Sequence, residues 1–153
     1  MAIEIGDTAP DFTLPLAGGG TVTLSEAIRQ SPVVLVFFPL AFSGRCQAEL
    51  CEIRDNIGVF DDARVRVVAV SVDSHFALQA WAEQQGYGFD LASDFWPHGE
   101  VAGAYQVFLH DRGVAARASF LIDTSGVVRW STVTPDTTQV RAFGGYREAL
   151  AAL

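Results

Sequence analysis

The chain alternates between two hydrophobic rhythms. Val33 to Phe38 reads VVLVFF, apolar at every position and rich in β-branched and aromatic residues. Such a run predicts a strand buried on both faces. Pro39 ends it, because proline lacks the backbone donor that a ladder needs. Val65 to Val72 is a second strand of the same kind. Between the two the period changes. Cys46, Leu50, Ile53 and Ile57 recur at i, i+4, i+7 and i+11, one face of a helix expected from Gly44 to about Ile57 behind a Ser43 N-cap. Ser74 or His75 to Gln85 reads as another helix, closed by Gly86, and Val101 to Tyr105 as a short one.

The two ends carry turn signals. Gly18-Gly19-Gly20 joins DFTLPL to TVTL, which predicts an N-terminal hairpin. SEAIRQ then predicts one helical turn after a Ser25 cap. Arg117 to Asp123 and Val127 to Val133 flank the turn Asp123-Thr-Ser-Gly126 and read as an antiparallel hairpin. Gln139 to Leu153 reads as a closing helix weakened by Gly144-Gly145. The order is hairpin, β, α, β, α, hairpin, α. It predicts an α/β thioredoxin-like fold with an N-terminal β-hairpin extension, one domain over residues 1–153.

Composition narrows the function classes. The net charge of −8 argues against nucleic acid or an anionic membrane as partner. The longest apolar run, Pro32 to Phe42, is too short to span a bilayer. MAIEIGDTAPDF has no basic segment followed by an apolar one, so a cytoplasmic location is expected. In that reducing compartment a persistent structural disulfide is not expected. The two cysteines with His75, His98 and His110 show no zinc-ligand spacing, and no metal or cofactor is expected. His98 reads as a loop or interface residue.

Both cysteines lie in one stretch, FSGRCQAELC. Behind a Ser43 cap, Cys46 is the third helical residue, where free N–H groups and the helix dipole favour a thiolate. Its apolar surroundings, Phe38, Pro39 and Phe42, work the other way. The thiolate therefore needs a buried cation or dense hydrogen bonding; without them Cys46 is a small core hydrophobe. A C-x-x-C disulfide exchanger is not indicated, since Ser43 holds the first place. Cys51 lies five residues on, about 140° around the helix and roughly 8.7 Å away between Cα atoms. A disulfide needs about 7 Å or less, so an intact helix forbids the bond. With Gln47 and Asp55, Cys51 lies toward the polar side and should be more exposed than its apolar neighbours.

Pro39-Leu-Ala-Phe-Ser43-Gly-Arg-Cys46 resembles the P-x-x-x-[TS]-x-x-C pattern of the peroxiredoxins, thiol-dependent peroxidases. GDTAPDFTL, Leu91-Ala-Ser-Asp94 with VAGAYQVF, and Arg117-Ala-Ser-Phe-Leu-Ile-Asp123-Thr-Ser-Gly126 resemble other segments of that family, so the likeness runs through most of the chain. FFPLAFSG and SDFWPHG most resemble the alkyl hydroperoxide reductase E branch. The resemblance implies that Cys46 is the peroxidatic nucleophile and that the Ser43 hydroxyl binds the thiolate or the peroxide. Arg117 would supply the buried charge, and Pro39 would shield the thiolate from water. Glu49, one turn after Cys46, would orient Arg117. Each has a plainer role as well: Ser43 a cap, Pro39 a strand terminator, Arg117 and Glu49 solvated.

The C-x-x-x-x-C pair resembles the bacterioferritin-comigratory-protein (Q-type) peroxiredoxins, in which the second cysteine resolves the sulfenic acid. That likeness implies that Cys51 forms an intramolecular disulfide once the helix unwinds, and that a thioredoxin-like protein reopens it. The one-cysteine alternative leaves resolution to a glutaredoxin-like protein or a small thiol. Implied substrates are hydrogen peroxide, organic hydroperoxides and peroxynitrite. A homodimer through the active-site loop face is the implied assembly. A non-catalytic binding module or holdase, using Phe37-Phe38, Phe42 and Phe95-Trp96 as an apolar patch, is the reading from another class. Arg45 before the cysteine and Ser rather than Thr at 43 depart from the commoner family pattern.

Overall fold

A computed structural model describes residues 2–134 and 138–153. The chain opens with a hairpin of β1 (Thr13–Pro15) and β2 (Thr21–Thr23), then α1 (Leu24–Ala27). β3 (Val33–Phe37), α2 (Gly44–Asp55), α3 (Ile57–Asp62), β4 (Arg66–Ser71), α4 (His75–Gln85) and β5 (Asp90–Ser93) form the parallel half. α5 (Glu100–Ala104), a small hairpin of β6 (Phe108–Leu109) and β7 (Val114–Ala115), the longer pair β8 (Arg117–Ile122) and β9 (Val128–Thr134), and α6 (Gly144–Ala151) complete it. The central sheet runs β5-β4-β3-β8-β9, with β8 antiparallel to both of its neighbours and the other four strands running in one direction. This is the thioredoxin-like arrangement that the element order predicts.

The central strands are buried on both faces, and alternation decides which side each residue serves. Val33, Leu35 and Phe37 of β3 pack with the N-terminal hairpin, α1 and α5. Val34, Val36 and Phe38 pack with α2, α3, α4 and α6. On β8, Ala118, Phe120 and Ile122 join the first layer and Leu121 the second. Arg117 has the parity of Leu121, so its side chain leaves the sheet on the side covered by α2. Its neighbour in that parity, Ser119, bonds Tyr146 of α6.

Several boundaries differ from the pattern reading. The helix expected to reach Ile57 stops at Asp55, and a second begins at Ile57. Asn56 makes the break: its side-chain amide donates to Glu52 O at 2.8 Å while its backbone leaves helical dihedrals. The turn expected after Ser25 starts at Leu24, with Ser25 N–H donating to Asp11 Oδ1. The closing helix is short. Gly144 and Gly145 open it instead of weakening its middle, and residues 139–143 precede it outside any helix. β5, β6 and β7, none longer than four residues, are too short to carry a periodic signal. Ser74 caps α4 by accepting from Ala77 N, and Gly86 closes it in the left-handed region, as expected.

Candidate active site

Pro39 lies buried after β3, and the chain then crosses Leu40–Ser43 to reach α2. This loop is held from two sides. Ala41 N–H donates to Asp73 Oδ2 at 2.8 Å, and Ser71 Oγ donates to the same oxygen. Phe42 has a positive φ of 65°, unusual for a residue with a bulky side chain. Its half-exposed ring lies 6.0 Å from that of Trp81, which helps fix the conformation. Ser43 occupies the N-cap position but makes no capping bond; its Oγ donates to Leu40 O at 2.8 Å. The Ser43 hydroxyl, expected to bond the thiolate or the peroxide, gives its hydrogen to the loop backbone.

Cys46 is the third residue of α2 and is 0% exposed. The cation that its burial requires is present. Arg117 Nη1 lies 3.3 Å from Cys46 Sγ. The same nitrogen donates to Glu49 Oε1, one helical turn beyond Cys46. Both side chains are almost wholly buried. The guanidinium thus sits within hydrogen-bond reach of the sulfur, on the buried side of α2.

Glu49 is anchored by a second arginine that the sequence reading missed. Arg141 donates from Nη2 to Glu49 Oε1 at 2.9 Å and from Nε to Oε2 at 3.0 Å, a planar two-pronged pair. Its backbone N–H also donates to Oε2, at 2.6 Å. Arg141 Nη1 donates to Phe37 O, Ala118 O and Ser119 Oγ. Phe37 and Ala118 face each other where the β3–β8 ladder ends, so Arg141 seals that end of the sheet. Burial alone would raise the Glu49 carboxyl. The hydrogen bonds from Arg141 and the charges of Arg141 and Arg117 outweigh it and hold the group below its ordinary value. Arg141 lay inside a segment expected to be helical, where an arginine reads as solvated. The available signal was a lone arginine beside apolar residues just before Gly144-Gly145.

Cys51 is half-buried, more exposed than Leu50 and Ile53 as expected, but it does not face solvent on a polar side. Its Sγ lies 3.4 Å from the Tyr87 hydroxyl and 3.5 Å from Gln85 Oε1, beside the end of α4. Burial and this contact raise the Tyr87 phenol far above its ordinary range, so the hydroxyl keeps its proton. Both thiols are unpaired. Of the aromatic patch, Phe37 and Phe38 are fully buried and cannot contribute; Phe42, Phe95 and Trp96 are exposed. His98 bonds Gly113 O at 2.7 Å and sits in a loop, as expected. Among the described residues no group of three or more His, Cys, Asp or Glu could hold a metal ion, and no helix is long and apolar enough to cross a membrane.

A cysteine set against a buried arginine, with serine where a disulfide exchanger has its other cysteine, defines a thiol peroxidase on a thioredoxin-like fold. Residues 5–131 match the AhpC/TSA family, and the chain belongs to that family, the peroxiredoxins. It is 42% identical to the alkyl hydroperoxide reductase E of Mycobacterium tuberculosis, over 99% of this chain and 98% of that protein. It is 37% identical to a chloroplastic 2-cysteine peroxiredoxin of Chattonella marina var. antiqua, over 87% of this chain and 72% of the relative. The crystal structure of peroxidoxin BcpB from Mycobacterium tuberculosis is similar with a TM-score of 0.85 at 30% identity, covering 97% of this chain and 95% of that one. The reduced Plasmodium vivax 2-Cys peroxiredoxin gives 0.88 at 26%, covering 98% and 81%. The protein is accordingly a peroxidase of the oxidoreductase class, and its family acts on peroxides with thioredoxin-type reductants.

Proposed function

We propose that Cys46 is the peroxidatic residue and that Arg117, Glu49, Ser43 and Pro39 complete its site. The observation that carries this is the 3.3 Å approach of the buried Arg117 guanidinium to Cys46 Sγ. The Cys46 thiolate attacks the terminal oxygen of the hydroperoxide. An S–O bond forms as the O–O bond breaks, giving Cys46 sulfenic acid and an alkoxide or hydroxide that takes a proton from water. Arg117 stabilises the thiolate beforehand and the charge on the leaving oxygen during the step. Ser43 commits its hydrogen to Leu40 O, so toward the site its oxygen acts as an acceptor for the peroxide O–H. Pro39 covers the thiolate, and Glu49 aims Arg117. Hydrogen peroxide, organic hydroperoxides and peroxynitrite all satisfy this chemistry.

Cys51 then condenses with the sulfenic acid, releasing water and forming a disulfide that a thioredoxin-like dithiol reopens. The one-cysteine reading is favoured by a separate observation. Cys51 is held by Tyr87 and Gln85 on another side of an intact helix, and an external thiol would leave it there. The unpaired thiols suit a cytoplasmic location. The exposed Leu40, Phe42, Phe76, Phe95 and Trp96 suit a homodimer through the active-site loop face. Peroxide consumption by Cys46→Ser tests the central claim: activity should vanish, and wild-type turnover in that variant would refute it. Intact mass after one equivalent of peroxide tests resolution. A loss of two hydrogens that disappears in Cys51→Ser is the expected result; a stable oxygen adduct in wild type would eliminate Cys51.

A further inference from the structure

Cys46 is fully covered, so a thiol that resolves its sulfenic acid, internal or external, needs the first turns of α2 to open. The next residue is tied down from outside the helix. Gln47 Oε1 accepts from the Trp81 indole N–H at 3.2 Å. Gln47 O accepts from the Tyr87 hydroxyl at 3.5 Å. That hydroxyl also lies 3.4 Å from Cys51 Sγ. Trp81 sits on α4 with 0% exposure, packed against Phe38 and Tyr87. Opening the turn of α2 withdraws the Gln47 oxygen and leaves a buried indole donor without that partner, which resists the opening.

We propose that Gln47 is a positioning residue that latches the catalytic turn of α2 to α4 and so sets the rate at which oxidised Cys46 becomes accessible to a thiol. The inference rests on the reading of Cys46 as the peroxidatic residue. Its bonds come from Trp81 of α4 and from Tyr87 just beyond that helix, while the peroxide step uses Cys46 and Arg117. The latch therefore acts on resolution and leaves oxidation alone. Resolution itself joins Cys46 sulfenic acid to a thiol, forming one S–S bond and one water.

Gln47→Met keeps the side-chain length and removes the acceptor; Gln47→Glu keeps an acceptor at the same reach. With one equivalent of hydrogen peroxide in quenched flow, both should form Cys46 sulfenic acid at the wild-type rate. Gln47→Met should then lose it to disulfide about five-fold faster, the ratio for one hydrogen bond of ordinary net strength. Gln47→Glu should restore the wild-type rate. The same ratios are expected in a Cys51→Ser background with 2-nitro-5-thiobenzoate as the thiol, so the latch is read even if Cys51 does not resolve. In that background Tyr87→Phe, which removes the second contact together with the hydroxyl beside residue 51 and leaves the Trp81–Gln47 bond in place, should also accelerate, and it serves if Gln47→Met does not fold. Unchanged resolution rates in these variants overturn the latch. So does an equal change in the oxidation rate, which would mean that the whole site had loosened. If peroxide leaves Cys46 unoxidised in the wild type, the peroxidase reading fails and the latch with it.

Discussion

Arg117→Met isolates the charge that the proposed reaction of Cys46 with peroxide draws on. Two unit charges 3.3 Å apart at an effective dielectric of about 20 attract by about 5 kcal/mol, an upper figure for the pair. Water entering the vacated space returns part of this, and a charge-assisted hydrogen bond alone is worth about 1.5–3 kcal/mol. A loss of about 2–4 kcal/mol is therefore expected, roughly 30- to 1000-fold in the second-order rate with hydrogen peroxide. The variant is a clean test because Glu49 keeps its two-pronged pairing with Arg141 and its bond from Arg141 N–H. The buried carboxylate is not orphaned, and the fold should survive. Stopped-flow peroxide oxidation at pH 7, with circular dichroism as the folding control, measures the effect. A folded Arg117→Met protein that reacts within three-fold of wild type would falsify the electrostatic account of Cys46.

Arg141→Met should behave differently, costing about 3–5 kcal/mol of stability by urea denaturation, because it removes the two-pronged pairing of Glu49, which keeps only Arg117 and the residue 141 N–H, and uncaps Phe37 O and Ala118 O. Glu49 should also impose a pH dependence. Its folded carboxyl lies below the ordinary 4.5, so its contribution is complete above that value and drains as pH falls through the folded value. Unfolding free energies between pH 7 and 3 should thus fall more steeply for wild type than for Glu49→Gln, and parallel curves would contradict the assignment. Ser43→Val should lower the rate with peroxide while leaving the thiolate absorbance near 240 nm in place, since Ser43 Oγ bonds Leu40 O and not the sulfur. Loss of that absorbance would show that Ser43 holds the thiolate after all.

Much of this protein was legible along the chain because the signals are local. VVLVFF has to be a buried strand wherever it sits, and the spacing of Cys46, Leu50 and Ile53 has to be one helical face. Arg117 to Asp123 was legible as a strand from its small and apolar run, although the face that Arg117 serves was not. Asn56 hid its break because a side chain bonding a carbonyl one turn back leaves no periodic trace. Arg141 hid for a different reason: burying a guanidinium depends on partners 92 positions away in sequence, and composition says nothing of who those are.

The sequence alone determined the class of fold, which follows from hydrophobic period, and the need of an ionised Cys46 for a cation, which follows from the chemistry of a buried sulfur. The role of Cys46 as nucleophile is what the likeness of PLAFSGRC to the peroxiredoxin pattern implies. Only the tertiary structure decided how that cation is held. Glu49 and Arg141 meet because a turn of α2, the end of the β3–β8 ladder and the segment before α6 converge, and convergence of distant segments is a property of packing. The same holds for Cys51 and Gln47, whose neighbours Trp81, Gln85 and Tyr87 come from α4 and the residues just after it.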